Sequence, residues 1–163
     1  MARGSEIIVS TEPHGHFMEG IIDSAEKPGT IVQLDVSQAM VGGRWHWVVY
    51  DADADGARPK GPFIVLREDH LQCKTATDAY VAATRAFGYV PLPGDELNLL
   101  VLNISGTADD HTKGEILIVD DTTGKMIATT GASPLTETEV AMLLETITDP
   151  TADTLAWCIW TGH

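Results

Sequence analysis

Apolar and polar residues alternate with a period of two along much of the chain. The alternation is clearest from Thr30 onward, where Val32, Leu34 and Val36 share one face and Gln33, Asp35 and Ser37 the other, as in a half-buried strand. Gly42-Gly43 precedes an aromatic and β-branched run over residues 44–50, with Trp45 and Trp47 on one side. Further runs cover 63–67 after Gly61-Pro62 and 97–103 after Pro91-Leu92-Pro93-Gly94-Asp95. Residues 115–119 are placed to pair with 125–129 across Asp120-Asp121-Thr122-Thr123-Gly124. Asp149-Pro150-Thr151 reads as a turn between 141–147 and 154–161. Roughly seven or eight short strands at this spacing predict an all-β, mainly antiparallel fold, a small β-barrel or β-sandwich.

Two segments depart from the alternation. Residues 77–87 are alanine-rich, with Thr77 or Asp78 available as a cap and Tyr80, Ala83, Thr84 and Phe87 at helical spacing, which predicts one short helix. Residues 137–145 suit helix or strand, and their threonine-rich flanks favour strand. The first 28 residues differ again: Glu12-Pro13-His14-Gly15-His16 separates Ile7-Ile8-Val9 from Ile21-Ile22, and Lys27-Pro28-Gly29 makes a turn. An extended N-terminal arm over 1–28 and a β-rich domain over 29–163 follow. No fixed repeat or low-complexity linker divides the chain further.

A length of 163 residues suits one ordinary domain with a real core. The formal charge of 10 − 24 = −14, with scattered basic residues, argues against phosphate binding and hence against nucleic acid. No apolar run approaches the ~18 residues of a membrane span, and the start Met1-Ala2-Arg3-Gly4-Ser5-Glu6 has no signal-peptide core. A protein made and kept in cytoplasm is therefore expected. Cys73 and Cys158 are too few for a disulfide framework and are expected as buried free thiols.

The sharpest local motif is Asp51-Ala52-Asp53-Ala54-Asp55-Gly56, which matches the first half of a calcium loop. Pro62 stands where the bidentate glutamate belongs, so an acidic turn is the expectation and no metal is assigned. His14 and His16 can approach one ion, yet a zinc site needs a third ligand, and His46, His70, His111 and His163 lie in no recognised ligand motif. No Gly-x-Ser-x-Gly elbow or phosphate-cradling glycine loop occurs. Ser105 reads as a strand end, and the Asp109-Asp110 and Asp120-Asp121 pairs as solvated turns. No catalytic residue and no cofactor are assigned. Trp157 and Trp160 point to opposite faces of one strand, so one is expected in the core and the other partly exposed.

Residues 72–98 include Cys73-Lys74-Thr75-Ala76-Thr77-Asp78-Ala79-Tyr80-Val81-Ala82 and then Phe87-Gly88-Tyr89-Val90-Pro91-Leu92-Pro93-Gly94-Asp95-Glu96-Leu97-Asn98. This stretch resembles head decoration, or cement, proteins of tailed bacteriophages. The resemblance begins with Pro28-Gly29-Thr30 opening a strand and is clearest in Asp78-Ala79-Tyr80 and Pro93-Gly94-Asp95-Glu96-Leu97. It runs from about residue 28 to the C-terminus, with Cys73 standing where such sequences often carry glycine. It implies a β-rich, barrel-, sandwich- or tulip-like subunit that binds the outside of an assembled capsid, commonly as a trimer at threefold positions. The implied partners are a major capsid protein and further copies of the chain, and the implied location is the capsid exterior. A clamp of that kind gains from an arm that orders on contact. Ile7, Ile8, Val9, Phe17, Ile21 and Ile22 are therefore expected to add backbone hydrogen bonds and apolar burial to a neighbour's sheet edge. Other expectations are a tail or adaptor β-barrel, or a calcium-dependent module using Asp51, Asp53 and Asp55.

Overall fold

Where the period of two holds, β-branched and aromatic residues form strands with one face buried. A computed structural model describes residues 6–9, 15–50, 62–102, 110–120, 122–128, 139–148 and 152–162. Among these described residues five strands lie in the first half: β1 (His16–Ile22), β2 (Ile31–Asp35), β3 (Trp45–Val49), β4 (Ile64–Leu66) and β5 (Thr84–Val90). Five more follow: β6 (Glu96–Val101), β7 (Ile116–Val119), β8 (Met126–Ala128), β9 (Glu139–Leu143) and β10 (Thr154–Trp160). The all-β fold is the one the alternation predicts, and only a single 3-10 turn, His70–Gln72, interrupts it among the described residues.

The strands form two closed sheets, one per half of the chain, in the orders β1-β3-β2-β4-β5 and β10-β6-β8-β7-β9. The two orders are the same. Replacing each strand of the first sheet by the strand five places later reproduces every pairing of the second. The parallel pair β1/β3 becomes the parallel pair β6/β8, and the four antiparallel pairs map onto four antiparallel pairs. The sequence shows no repeat, so this duplication is one of topology alone.

Residues 91–95 join the barrels in a tight turn, in which the Leu92 amide donates to Asp95 Oδ2 at 2.8 Å and Gly94 takes a φ of 97°. Trp47 fills the first barrel because two neighbouring strands carry glycine beside it. A Cβ on Gly20 would stand 2.2 Å from the indole, and one on Gly88 2.4 Å from Ile64. Ile22, Val32, Ile64, Leu66, Tyr80 and Ala86 complete that core. A larger core runs through the second barrel and across the junction, combining Ile31, Tyr50, Val65 and Tyr89 with Leu97, Leu99, Leu117, Met126, Leu143 and Trp160.

The described part of residues 1–28 is extended but folded onto this body. β1 pairs with β3 and β5 inside the first barrel. Upstream, Ile8 bridges Leu97, the Asn98 amide donates to Ile7 at 2.7 Å and the Val9 amide donates to Glu96 at 2.9 Å. β8 reaches β6 only at Val101, so the N-terminal segment supplies the pairing that the start of β6 would otherwise lack.

Three local expectations are corrected. The predicted helix over 77–87 is instead a turn followed by β5. Asp78 accepts from both the amide and the hydroxyl of Thr75, Ala83 takes a left-handed φ of 60°, and Ala86 and Gly88 then alternate inward with Arg85 and Phe87. Val36 does not share the buried face of Val32, because β2 ends at Asp35 and leaves it exposed. Cys73 is exposed at the end of the 3-10 turn, in the left-handed region, while Cys158 is buried as expected. Residues 139–143 form the strand that their threonine-rich flanks favour, and 116–119 pair with 126–128 across the predicted turn. Trp160 is buried and Trp157 half-buried with its Nε1 donating to Glu96, the expected division of that pair.

Candidate functional site

Of the six arm residues expected to meet a partner, Ile7 and Ile22 are fully buried, the first in the shared core and the second in that of the first barrel. The Ile7 amide also donates to the buried carboxylate of Glu68. Ile8, Val9 and Ile21 are half-buried. Ile7 to Val9 thus line a sheet edge of their own chain. Phe17 alone of the six is open to solvent, at 58% exposure.

Phe17 stands opposite Tyr89 on the β1/β5 ladder, with ring centroids 5.3 Å apart, and the Arg67 guanidinium lies 4.8 Å above its ring. Arg67 leads to a second ring: its carbonyl accepts from the Tyr80 hydroxyl at 2.6 Å, and Lys74 Nζ sits 6.0 Å from the Tyr80 ring. Arg85 covers Phe87 at 4.9 Å. Three of the ten cations of an acidic chain are therefore held on aromatic rings by residues 67–87 and the start of β1. Leu71, 72% exposed, and Val81, 61% exposed, lie in the same segment. Sequence reasoning missed both, because a leucine and a valine inside turns carry no periodic signal.

Beneath this segment the polar groups are fixed. The Tyr89 hydroxyl accepts from the Gly15 amide and donates to the buried carboxylate of Asp95, each at 2.7 Å. Burial, reinforced by Asp95, pushes the Tyr89 phenol up to about 12. Burial does the same to Tyr80. Asp69 accepts from the amides of Leu71 and Gln72 and so forms the 3-10 turn that presents Leu71.

A second exposed apolar group is the β2–β3 hairpin, where Val36, Met40, Val41 and Trp45 are all open to solvent. Gly42 and Gly43, with φ of 57° and 77°, make its two-residue tip between the bridged pair Val41 and Arg44. Its base is braced by polar contacts. Arg44 pairs with Glu19 at 2.9 Å, His46 Nδ1 meets Asp23 at 2.6 Å, and Gln38 links Asp23 to Asp35. The Ser37 hydroxyl and amide both donate to Asp35 and hold its carboxyl below the usual range.

The other chemical candidates do not converge. Asp51, Asp53 and Asp55 lie outside the described residues, as do His14, His163, Ser105, Asp109 and Asp121. His16 is exposed on β1, His70 stands 3.9 Å from Glu68, and His111 stands 3.3 Å from Glu115. Among the described residues no group of three or more His, Cys, Asp or Glu could hold a metal ion. Burial pushes the Cys158 thiol up to about 12.

No family model and no curated protein matches this chain. The two apolar surfaces are thus the features from which its role is argued.

Proposed function

We propose that this chain is a structural virion protein, a decoration subunit that binds the outer surface of an assembled phage capsid and stabilises it by bridging capsomers. The carrying observation is the segment 67–87, where exposed Leu71 and Val81 accompany Arg67, Lys74 and Arg85 in a chain of charge −14, with exposed Phe17 under Arg67. Cations stacked on rings have lost much of their freedom before contact, so a partner that pairs with them orders little more. Most of this segment lies within the stretch that resembles decoration proteins. Two barrels joined by a core that spans their junction suit a clamp, which has to resist deformation when the shell beneath it is loaded. A clamp that binds only the assembled state stabilises that state by mass action.

In this reading the chain binds rather than catalyses, its partners are a major capsid protein and its own copies, commonly three, and it needs no cofactor, nucleic acid or membrane. Among the described residues no helix is long and apolar enough to cross a membrane.

Co-sedimentation with empty, expanded, undecorated heads tests the proposal. Wild-type protein is expected to pellet with heads to saturation and to cover the shell in electron micrographs. Leu71→Asp, which changes an exposed side chain and leaves the cores intact, is expected to weaken binding about ten-fold or more. Wild-type protein that stays in the supernatant at saturating concentration, or that labels only one vertex, overturns it.

A further inference from the structure

β1 and β5 present one face away from the core of the first barrel. Met18, Ile22 and Ala86 pack on that core, so the alternate positions point outward. These form three cross-strand pairs, Phe17 with Tyr89, Glu19 with Phe87 and Ile21 with Arg85. Two guanidiniums lie on this face, Arg67 at 4.8 Å from the centre of the Phe17 ring and Arg85 at 4.9 Å from that of Phe87. The Arg67 amide donates to the Phe87 carbonyl at 3.0 Å, which fixes the segment carrying one cation to the strand carrying the other. Phe17, Arg67, Arg85 and Phe87 all fall within 15–50 and 62–102, two stretches that the structure describes without a break.

The charges on this face are arranged against the trend of the molecule. Acidic residues outnumber basic ones 24 to 10, yet among the described residues neither guanidinium has a carboxylate within ion-pair distance. By contrast, Arg44 meets Glu19 at 2.9 Å and Lys125 meets Asp153 at 2.7 Å. The acids that follow Arg67 in the chain are turned inward. Glu68 and Asp69 are 3% and 2% exposed, and they accept from the amides of Ile7 and of Leu71 and Gln72, respectively. Exposed Asp78 is engaged by the Thr75 amide and hydroxyl, and Glu19, on the face itself, is balanced by Arg44. Arg67 Nε is buried without a hydrogen-bond partner. What remains outward is two unpaired guanidiniums held on rings beside exposed Phe17.

We propose that the outer face of β1 and β5 docks an acidic protein segment, whose carboxylates pair with Arg67 and Arg85 and whose apolar side chain packs on Phe17. A guanidinium lying on a ring keeps its N–H edge available, and that edge matches a carboxylate in two parallel hydrogen bonds. A net charge of −14 alone would favour a basic partner. The local arrangement selects the opposite chemistry, with specificity set by the patch rather than by the total. The proposal rests on the decoration reading and deepens it, by assigning carboxylates to the part of the partner that meets this face.

NMR of the arginine Nε–Hε groups in the full chain provides the test, because each guanidinium is read separately. Titration with a capped hexaglutamate peptide at fixed ionic strength is expected to shift the Arg67 and Arg85 signals saturably and to leave Arg44, already paired with Glu19, unmoved. A capped hexalysine peptide is expected to shift neither Arg67 nor Arg85. Arg67→Lys/Arg85→Lys keeps both charges but loses the fork, and is expected to weaken hexaglutamate binding about ten-fold. No shift at Arg67 and Arg85, or an equal one at Arg44, would overturn the proposal. Larger shifts with a six-nucleotide oligothymidylate would overturn it too, because phosphate would then be the better ligand. Heads are read separately. Wild type that responds to hexaglutamate without pelleting removes the capsid reading alone, whereas Arg67→Glu/Arg85→Glu that pellets as well as wild type overturns the assignment of this face.

Discussion

Tyr89 illustrates how much one side chain carries here. Its ring lies in the core shared by the barrels, and its hydroxyl joins the start of β1, through Gly15, to the turn between the barrels, through Asp95. Tyr89→Phe leaves a buried carboxylate and an amide each short of one partner, and is expected to cost about 1 to 3 kcal/mol in urea unfolding. The phenol also sets a pH dependence. In the unfolded chain it ionises near 10, but in the fold it is held protonated up to about 12. Its stabilising contribution is therefore complete below pH ~10 and is lost as pH rises from there toward about 12. Thermal melts over that window should fall more steeply for wild type than for Tyr89→Phe. The two cysteines give a simpler readout. Exposed Cys73 should react with a thiol reagent in the native protein, whereas Cys158, buried and pushed up to about 12, should react only after unfolding.

Strands show what local pattern can and cannot announce. The alternation around Val32, the aromatic run before Tyr50 and the turn at Asp120-Asp121-Thr122-Thr123-Gly124 all identify elements that form, because burying one face of a strand needs only residues two apart. The helical spacing of Tyr80, Ala83, Thr84 and Phe87 is coincidental. Tyr80 is drawn into the first core with its hydroxyl on Arg67, and left-handed Ala83 turns the chain into β5. β1 escaped notice because its inward positions include Gly20, which contributes no apolar signal but makes room for Trp47. Gly20→Ala would drive a methyl group into that indole and is expected to cost about 1 to 3 kcal/mol. Near-UV circular dichroism of the four tryptophans, together with the denaturation midpoint, would report it. Of the exposed apolar residues, only Val36 and Trp45 belonged to patterned runs, and Phe17 was singled out as an arm residue. Leu71, Val81, Met40 and Val41 sit in turns, where exposure is decided by caps and glycines rather than by periodicity.

Duplication was the least visible feature, since topology is fixed by pairings between distant strands and places no common motif on the two halves. It nevertheless governs how the chain unfolds. The second barrel's core is continuous with the junction, Ile7 and Val9 pair with β6, and Gly29 and Ile31 exchange backbone hydrogen bonds with Leu100 and Gly124. Neither barrel can open without exposing the other, so heat should produce one cooperative transition rather than two. Gly124→Ala tests this coupling from a single turn. The added methyl group meets the Ile31 carbonyl at 2.3 Å and stands on a φ of 64°, which together are expected to cost about 2 to 4 kcal/mol. Trp47 reports the first barrel and Trp160 lies in the shared core, so the substitution should lower both signals at one shared midpoint. Separate midpoints would mean that the barrels are joined only by their linker, because two cores that melt independently share no cooperative contact.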